Sequence, residues 1–340
     1  MARATITVTW PKVSDAPGYD LFENGSKVSS TPNLSARFGV ANGDKIEIRA
    51  QAAAPPPPPP SPSAVDAQTA WHHAPWNLDA QAAPLDPNSA QLAATMASRY
   101  CTTTVPYVNT NTWSYAWVYG RAGDPHYTVA QTKYPGPLDA SIPIPAGAKP
   151  SPDGDGHLTI FDVEHGRVHD LWQAVWDGSK WSCSAGVSYP AGGAPAGNGS
   201  IAAGWPPLAT GLWPEEIQAG QIDHALCFVV PHTRTGFRYP ATHTGTGQGD
   251  AADLQEGTWV RLPGSLAPNT GWPGWAKTVF RALQDHGMFL CDQGGAALQI
   301  VGVNPVNGGV SWATVGMTSA RFPADFPWAK TQILAAPTKS

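Results

Sequence analysis

The sequence predicts a mainly β protein, and three observations lead to that class. Glycine and proline contribute 35 residues each to the 340-residue chain, although together they usually make up roughly 12% of a protein. Apolar and polar residues alternate over short stretches such as 5–10 and 45–50, which is the period of a half-buried strand. Turn-forming residues separate these stretches. Short strands joined by tight turns are therefore expected, and a coiled coil or an all-helical fold is excluded.

Changes in composition divide the chain into four segments. Residues 1–52 are a compact β-module, in which Asn24-Gly25 is a strong hairpin signal. Residues 53–70 are a Pro-rich linker, because consecutive prolines adopt the polyproline II helix, which rises ~3.1 Å per residue. Residues 71–330 are one large domain, and residues 331–340 are a C-terminal tail.

Two segments of the large domain carry helix signals. Asp86 and Pro87 suit the start of a helix over 90–97. Apolar residues recur at helical spacing over 275–286, and Gly287 marks the end of that helix.

The rest of the large domain is predicted to form short strands. These strands lie at residues 115–119, 157–163, 168–176, 224–231, 258–262, 288–292 and 297–303. Gly294-Gly295 is expected to join the last two as a hairpin. The expected architecture is a jelly-roll-like β-sandwich with two short helices.

Charge and motif content exclude several functions. The net charge is −5 without a basic cluster, which argues against a nucleic-acid partner. No run of 18 apolar residues is present to span a membrane, and the N-terminus lacks the apolar segment of a signal peptide. Widely spaced cysteines favour free thiols, and neither a metal nor a cofactor is predicted; they are Cys101, Cys183, Cys227 and Cys291.

Candidate acid–base residues come from the densest polar stretch. The predicted strands 157–163 and 168–176 place His157 and Asp170 on one surface, where a histidine beside a carboxylate suits general acid–base catalysis. The alternative is a His–Asp pair that only joins two strands. His224, at the start of an apolar strand, is the third candidate, and its spacing from His232 and His243 matches no metal-binding motif.

Fifteen tryptophans are the most informative feature of the composition. Their flat apolar faces are suited to stacking on sugar rings. Trp172 and Trp176 are predicted to share a face with Asp170, and Trp205 and Trp213 lie in Gly/Pro-rich loops, where binding residues are common. Together with His157 and Asp170 they form the predicted ligand-binding set, and core packing is the alternative role for each tryptophan.

Two resemblances extend this prediction. Trp10, Tyr19 and the strand KIEIRAQA resemble a fibronectin type III domain over about half of its usual length. The stretches DGHLTIFD, HDLWQAVW, GQIDHALCFVVPHTR, YPATH and ALQDHGMFLCDQGG resemble, over residues 145–305, a domain of secreted actinobacterial proteins and of minor tail proteins of phages that infect such hosts. The second resemblance implies a β-sandwich associated with cell-envelope glycans and carries over no catalytic residue.

The expected function is therefore that of a phage minor tail protein. It would be made in the host cytoplasm, reside at the distal tail of the virion, and bind a cell-envelope glycan. Its expected partners are other tail proteins and further copies of itself, since linked weak sites raise avidity. One alternative is a hydrolase or lyase that acts on an arabinan- or galactan-like polymer, and the other is a purely structural tail component.

Overall fold

The computed structural model describes residues 4–9, 19–24, 26–31, 35–40, 45–50, 70–71, 75–102, 105–194, 199–245, 247–317 and 320–338. The chain divides into two compact units, Met1–Ser61 and Pro62–Ser340. Trp10 and the proline run at 55–60, on which parts of the module and linker predictions depend, lie outside the described residues.

Within its described residues, the first unit contains five strands. They are β1 (Ala4–Thr9), β2 (Tyr19–Glu23), β3 (Ser26–Thr31), β4 (Ser35–Val40) and β5 (Ile46–Ala50). β1 pairs with β4, and β2 lies between β3 and β5; all of these pairs are antiparallel. Between β2 and β3, Asn24 has a φ of 51°, the left-handed conformation that a tight hairpin turn needs.

The second unit contains fifteen strands within the described residues. In chain order they are β6 (Tyr107–Asn109), β7 (Tyr115–Gly120), β8 (His126–Tyr127), β9 (Ala130–Pro135), β10 (Ile142–Pro143), β11 (Leu158–Asp162), β12 (Arg167–Trp172), β13 (Val175–Trp176), β14 (Trp181–Pro190), β15 (Leu226–Val230), β16 (Trp259–Arg261), β17 (Met288–Gln293), β18 (Gln299–Val301), β19 (Val303–Asn304) and β20 (Gln332–Leu334).

These strands form two large sheets and one small pair. Sheet I has the order β13-β14-β12-β11-β7-β19, with β9 also paired to β14. Sheet II has the order β20-β16-β17-β15-β18-β6, and β8 pairs with β10. Residues 332–334, which the sequence assigned to a tail, thus form the edge of sheet II. The prediction of a mainly β chain is confirmed.

Both predicted helices are present, and a third was not predicted. The helices are α1 (Ser89–Tyr100), α2 (Pro214–Ala219) and α3 (Gly274–Asp285). Asp86 accepts a hydrogen bond from the N–H of Asn88 just before α1, over 2.7 Å. After α3, Gly287 has a φ of 74°, the left-handed conformation typical of the residue that ends a helix.

Sheets I and II pack face to face, because one buried cluster draws side chains from both. Trp117 and Phe161 of sheet I and Phe289 and Val301 of sheet II belong to this cluster. A second cluster joins the other face of sheet II to α1 and α3. A third covers the outer face of sheet I. The layers are therefore helices, sheet II, sheet I and a loop layer that contains β10.

Two topological expectations are not confirmed. β7 runs parallel to β11, β9 to β14, and β15 to β17, whereas jelly rolls are antiparallel. The hairpin predicted at Gly294-Gly295 is wrong, because β15 lies between β17 and β18. Within the described part of the chain, no helix combines the length and apolar character needed to cross a bilayer.

A break in the strand predicted at 168–176 separates two candidate tryptophans. β12 ends at Trp172, Gln173 has a φ of 54°, and β13 begins at Val175. Trp172 lies opposite Ala185 on the inner face of sheet I, whereas Trp176 lies opposite Trp181, which belongs to the outer cluster. The prediction that Trp172 and Trp176 share a face is therefore wrong.

Candidate functional site

A row of side chains crosses the inner face of sheet I at one end. The strand registers place His157 between Tyr115 and Trp172, and Trp172 level with Ala185 and Tyr134. The rings of Tyr115 and His157 are perpendicular, with centroids 5.3 Å apart. The rings of Trp172 and Tyr134 are stacked, with centroids 6.3 Å apart and an angle of 26°. We call these five residues the aromatic row.

Exposure increases along the aromatic row. Tyr115 and His157 are buried, Trp172 is half-buried, and Tyr134 is 55% exposed. Ala185 lies between Trp172 and Tyr134 and is small enough to let their rings approach each other. The Nζ atom of Lys133 lies 5.0 Å from the centroid of the Tyr134 ring. The row thus ends in a pair of flat faces that solvent can reach.

A hydrogen-bonded loop fixes the orientation of Trp172. Its indole Nε1–H donates to Oδ1 of Asp155 over 3.1 Å. The loop is closed by Asp153, whose carboxylate accepts the backbone N–H groups of Asp155 at 2.9 Å and of Trp113 at 2.5 Å, and the hydroxyl of Ser151. Asp153 therefore closes a turn, and Asp155 anchors the half-buried tryptophan.

His157 and Asp170 do not form the predicted acid–base pair. Asp170 accepts hydrogen bonds from the hydroxyls of Thr159, at 2.5 Å, and Tyr189, and it is 1% exposed. Burial raises its pKa to about 6, although both hydroxyls oppose the shift. Asp170 is a sealed structural carboxyl, because its hydrogen bonds join three strands of sheet I.

His157 keeps a free nitrogen at the buried end of the aromatic row. Among the described residues its Nδ1 has no hydrogen-bond partner, and the side chain is 7% exposed. Burial lowers its pKa, while the charges of Asp155 and Asp153 act in the opposite direction. This histidine is a neutral polar group beside the site rather than the partner of Asp170.

His224 is a structural residue rather than a catalytic one. Its Nε2 pairs with Oε1 of Glu216 at 3.0 Å, and its Nδ1 donates to the carbonyl of Ala225 at 2.8 Å. The side chain is 2% exposed. Burial lowers its pKa, but Glu216 and the carbonyl outweigh that effect, so the pKa is raised. Both nitrogens are occupied, so His224 is unavailable to a substrate.

The structure also reassigns three of the four candidate tryptophans. Trp205 and Trp213 are each 1% exposed. Trp205 donates to the hydroxyl of Thr210 over 3.0 Å, and Trp213 packs on Trp117 with centroids 5.4 Å apart. Both are therefore core residues and not ligand contacts. Trp176 is 41% exposed but lies on the outer face, so Trp172 alone remains on the candidate surface.

Two carboxyls that the sequence analysis missed lie at the end of sheet II. Asp292 is next to last in β17, and Glu256 lies three residues before β16, the antiparallel neighbour of β17. Asp292 is half-buried and Glu256 is buried. The signal available in the sequence was an acidic residue at the end of a strongly apolar strand, MFLCDQ, followed by two glycines.

Both carboxyls have raised pKa values. Burial raises the pKa of Asp292 to about 7, and the charges of Glu256 and Asp155 add to the shift. The backbone N–H groups of Gln293, at 2.7 Å, and Ala202 donate to Asp292 and oppose it. Burial likewise raises the pKa of Glu256 to about 7. Asp292 is therefore protonated over much of the range below neutral pH.

One oxygen of Glu256 is unpartnered. Its Oε2 accepts the N–H of Gly245 over 2.8 Å, whereas its Oε1 is buried and has no hydrogen-bond partner in the part of the chain that the structure describes. Glu256 itself is 0% exposed. Buried polar atoms are usually paired, so this oxygen is available to accept a further hydrogen bond.

The strand register and one side-chain contact place Asp292 beside the aromatic row. Asp292 is paired with Val229, which packs on the cluster between the sheets, and Sγ of the adjacent Cys291 lies 3.9 Å from the hydroxyl of Tyr115. The charge of Asp155, the anchor of Trp172, raises the pKa of Asp292. The pKa of the buried Tyr115 is raised by burial and also by the charge of Asp292. Asp292 from sheet II therefore faces the row of sheet I, and the site is assembled from both sheets.

Two loops border the carboxyls. The N–H of Ala203 donates to the carbonyl of Cys291 over 3.0 Å, and the N–H of Thr242 donates to the carbonyl of Ala203 over 2.9 Å. A Cβ added to Gly204 would lie 2.7 Å from Nδ1 of His243, so the close contact of the two loops requires glycine there. Burial lowers the pKa of His243.

The chemistry of this end of the sandwich is that of carboxyls and aromatic faces. Among the described residues, no three histidine, cysteine, aspartate or glutamate side chains are grouped as a metal site requires. The four cysteines are free thiols. No protein-family model matches the chain, and no curated protein or solved structure is significantly similar to it.

Proposed function

We propose that this chain is a phage minor tail protein that binds a host cell-envelope glycan on the aromatic row. The observation that carries the proposal is the stacked pair of Trp172 and Tyr134, which is held in place by Asp155 and open to solvent. Rigid, flat, apolar faces next to hydrogen-bonding groups are the combination that a sugar ring requires.

The polar groups around the aromatic row suit a neutral ligand. Carboxylates can accept hydrogen bonds from sugar hydroxyls, and Asp153 and Asp155 lie in the loop that carries this end of the row. Those same carboxylates would repel a phosphate or another anion. Charged residues make up only 13% of the chain, which agrees with recognition by stacking and hydrogen bonding.

The placement in a phage tail is supported by the resemblance of residues 145–305 and by the arrangement of the first unit. The pairing of β1 with β4, and of β2 with β3 and β5, suits a shortened fibronectin type III-like module, which is a two-sheet fold. A binding domain of this kind gains avidity when several copies are displayed together. We therefore propose that the protein acts as an oligomer at the distal tail, with other tail proteins as partners.

The test is a pulldown of the full chain with purified actinobacterial cell-wall polysaccharide. Trp172→Ala and Tyr134→Ala are expected to raise Kd about 5–30-fold, or about 1–2 kcal/mol each. Trp176→Ala is the matched control, because it removes an exposed tryptophan from the opposite face of sheet I, and it should leave Kd unchanged.

Two results would count against glycan binding on the aromatic row. If the wild-type protein does not bind the polysaccharide, the glycan proposal fails and the purely structural role is favoured. If Trp176→Ala weakens binding as much as Trp172→Ala does, the binding surface lies elsewhere.

A further inference from the structure

We infer that the end of the sandwich beside the aromatic row is also a hydrolytic active site, in which Asp292 is the general acid and Asp155 the general base for cleavage of a glycosidic bond. This inference rests on the proposed glycan binding and adds a reaction to it. Neither residue was a catalytic candidate in the sequence analysis, and the catalytic candidates named there do not fill these roles.

The first argument is the position of the two carboxyls. Asp292 belongs to sheet II, and Asp155 belongs to the loop before β11 of sheet I. Both residues are half-buried, whereas Asp170 is 1% exposed. Asp155 holds Trp172 through its Oδ1, so a sugar stacked on that ring would lie next to its carboxylate. Asp292 approaches the same row from sheet II, because Sγ of the adjacent Cys291 lies 3.9 Å from the hydroxyl of Tyr115, whose ring contacts His157.

The second argument is that two buried polar atoms at this end of the sandwich lack hydrogen-bond partners. Nδ1 of His157 and Oε1 of Glu256 both lack partners among the described residues, and their side chains are 7% and 0% exposed. One lies on the aromatic row, and the other belongs to the carboxyl whose charge raises the pKa of Asp292. Such atoms are costly to bury without a partner, and a bound sugar hydroxyl could supply one.

The surroundings of the two carboxyls assign their roles. Burial and the charges of Glu256 and Asp155 hold a proton on Asp292 up to about pH 7, as a general acid requires. Glu256 has no exposed surface, so it acts through Asp292 as a positioning residue. Asp155 is half-buried beside Trp172 and is the second carboxylate next to a sugar stacked on that ring. Glycosidases commonly use two carboxyl groups in this way.

The reaction balances with water as the only co-reactant. The carboxyl of Asp292 donates its proton to the glycosidic oxygen as the bond between that oxygen and the anomeric carbon breaks. A water molecule forms the new bond to the anomeric carbon and gives a proton to the carboxylate of Asp155. The products are a new reducing end and a free hydroxyl, and solvent returns the proton from Asp155 to Asp292.

The experiment measures reducing ends released from the same cell-wall polysaccharide by the full chain, with the pulldown run in parallel. Asp292→Asn and Asp155→Asn are expected to lower the release rate at least 100-fold. Each asparagine keeps an oxygen that can accept the existing hydrogen bonds, so binding should change less than threefold. Glu164→Gln, at an exposed position, makes a similar change away from the site and should leave both readouts unchanged.

A pH profile tests the positioning role of Glu256. The charge of Glu256 raises the pKa of Asp292, so Glu256→Gln should move the high-pH limb of the release rate to lower pH. A merely structural role would lower the rate without moving that limb.

The outcomes separate this inference from the binding proposal. Polysaccharide that is bound but never cleaved by the wild-type protein overturns the active site and leaves the glycan-binding function standing. Cleavage that persists in both asparagine variants overturns the assignment of Asp292 and Asp155. Absence of binding removes the proposed function itself, and the inference falls with it. Near-ultraviolet circular dichroism of each variant confirms that a lost activity is not a lost fold.

Discussion

The layer between the two sheets contains one carboxyl in its middle, Asp170, and another, Asp292, at the end beside the aromatic row. Both have raised pKa values, but their surroundings differ. Asp170, in the middle, is 1% exposed and accepts two side-chain hydroxyls. Asp292, at the end, is half-buried, is held by backbone N–H groups and lies near two further carboxyls. Burial raises the pKa of both groups.

The difference shows that a raised pKa does not by itself identify a functional carboxyl. Burial disfavours the charged form wherever it occurs. What distinguishes the end of the layer is that Asp155 and Asp292 are half-buried, whereas Asp170 is 1% exposed. The tryptophans follow the same division, since Trp213 is sealed in the middle and Trp172 is half-exposed at the end.

The largest expected effect tests the tryptophan part of this comparison. Trp213→Ala should lower the free energy of unfolding by about 3–5 kcal/mol, because it leaves a large cavity in the core. Trp172→Ala should cost less than about 2 kcal/mol, because part of that side chain is already exposed. Urea unfolding followed by tryptophan fluorescence reports on the second unit, since Trp10 is the one tryptophan within residues 1–61. Equal losses of unfolding free energy in the two variants would contradict the distinction between a core tryptophan and a half-exposed one.

The next largest expected effect is the difference in unfolding free energy between Asp170→Ala and Asp292→Ala. Asp170→Ala should cost about 2–4 kcal/mol, because the hydroxyls of Thr159 and Tyr189 lose their acceptor inside the protein. Asp292→Ala should cost about 1 kcal/mol or less, because water can reach the groups it frees. Urea unfolding at pH 7 measures both. A cost for Asp292→Ala as large as that for Asp170→Ala would mean that the two carboxyls are equally structural.

The pH dependence of stability gives a smaller and more specific effect. Asp292 has a folded-state pKa of about 7, above the roughly 3.9 of an unfolded chain. A raised carboxyl pKa stabilises the fold at low pH, and this contribution is lost as the pH rises from about 4 to 7. Between about pH 4 and 7, the free energy of unfolding should fall by about 1–3 kcal/mol less in Asp292→Asn than in the wild type. Urea unfolding at several pH values measures this difference. An unchanged slope would show that Asp292 titrates normally in the folded protein.

The smallest effect concerns the approach of the two rings. Ala185→Leu should place a branched side chain between Trp172 and Tyr134 and raise the Kd for the polysaccharide about 3–10-fold, or about 1 kcal/mol. Ala185→Ser keeps the small size and should bind as the wild type does. An unchanged Kd in Ala185→Leu would show that the stacked pair of Trp172 and Tyr134 is not the contact surface.

The sequence alone determined the mainly β class, both long helices and six of the fifteen described strands of the second unit to within two residues. These features depend on neighbours along the chain. Helix α1 follows Asp86 and Pro87, α3 ends before Gly287, and the apolar segments become strands. Trp172 was named as a candidate because it was predicted to share a face with Asp170, and the strand register places both residues on the inner face of sheet I.

Only the tertiary structure decided which residues meet. The left-handed Gln173 separated Trp172 from Trp176, and β15 entered between two strands that were expected to form a hairpin. Trp205 and Trp213 lie in loop-like sequence but were drawn into the core. Asp155 and Asp292 are 137 positions apart in the sequence and come together because two sheets pack face to face. Their proximity depends on long-range packing, for which local periodicity and turn chemistry carry no information.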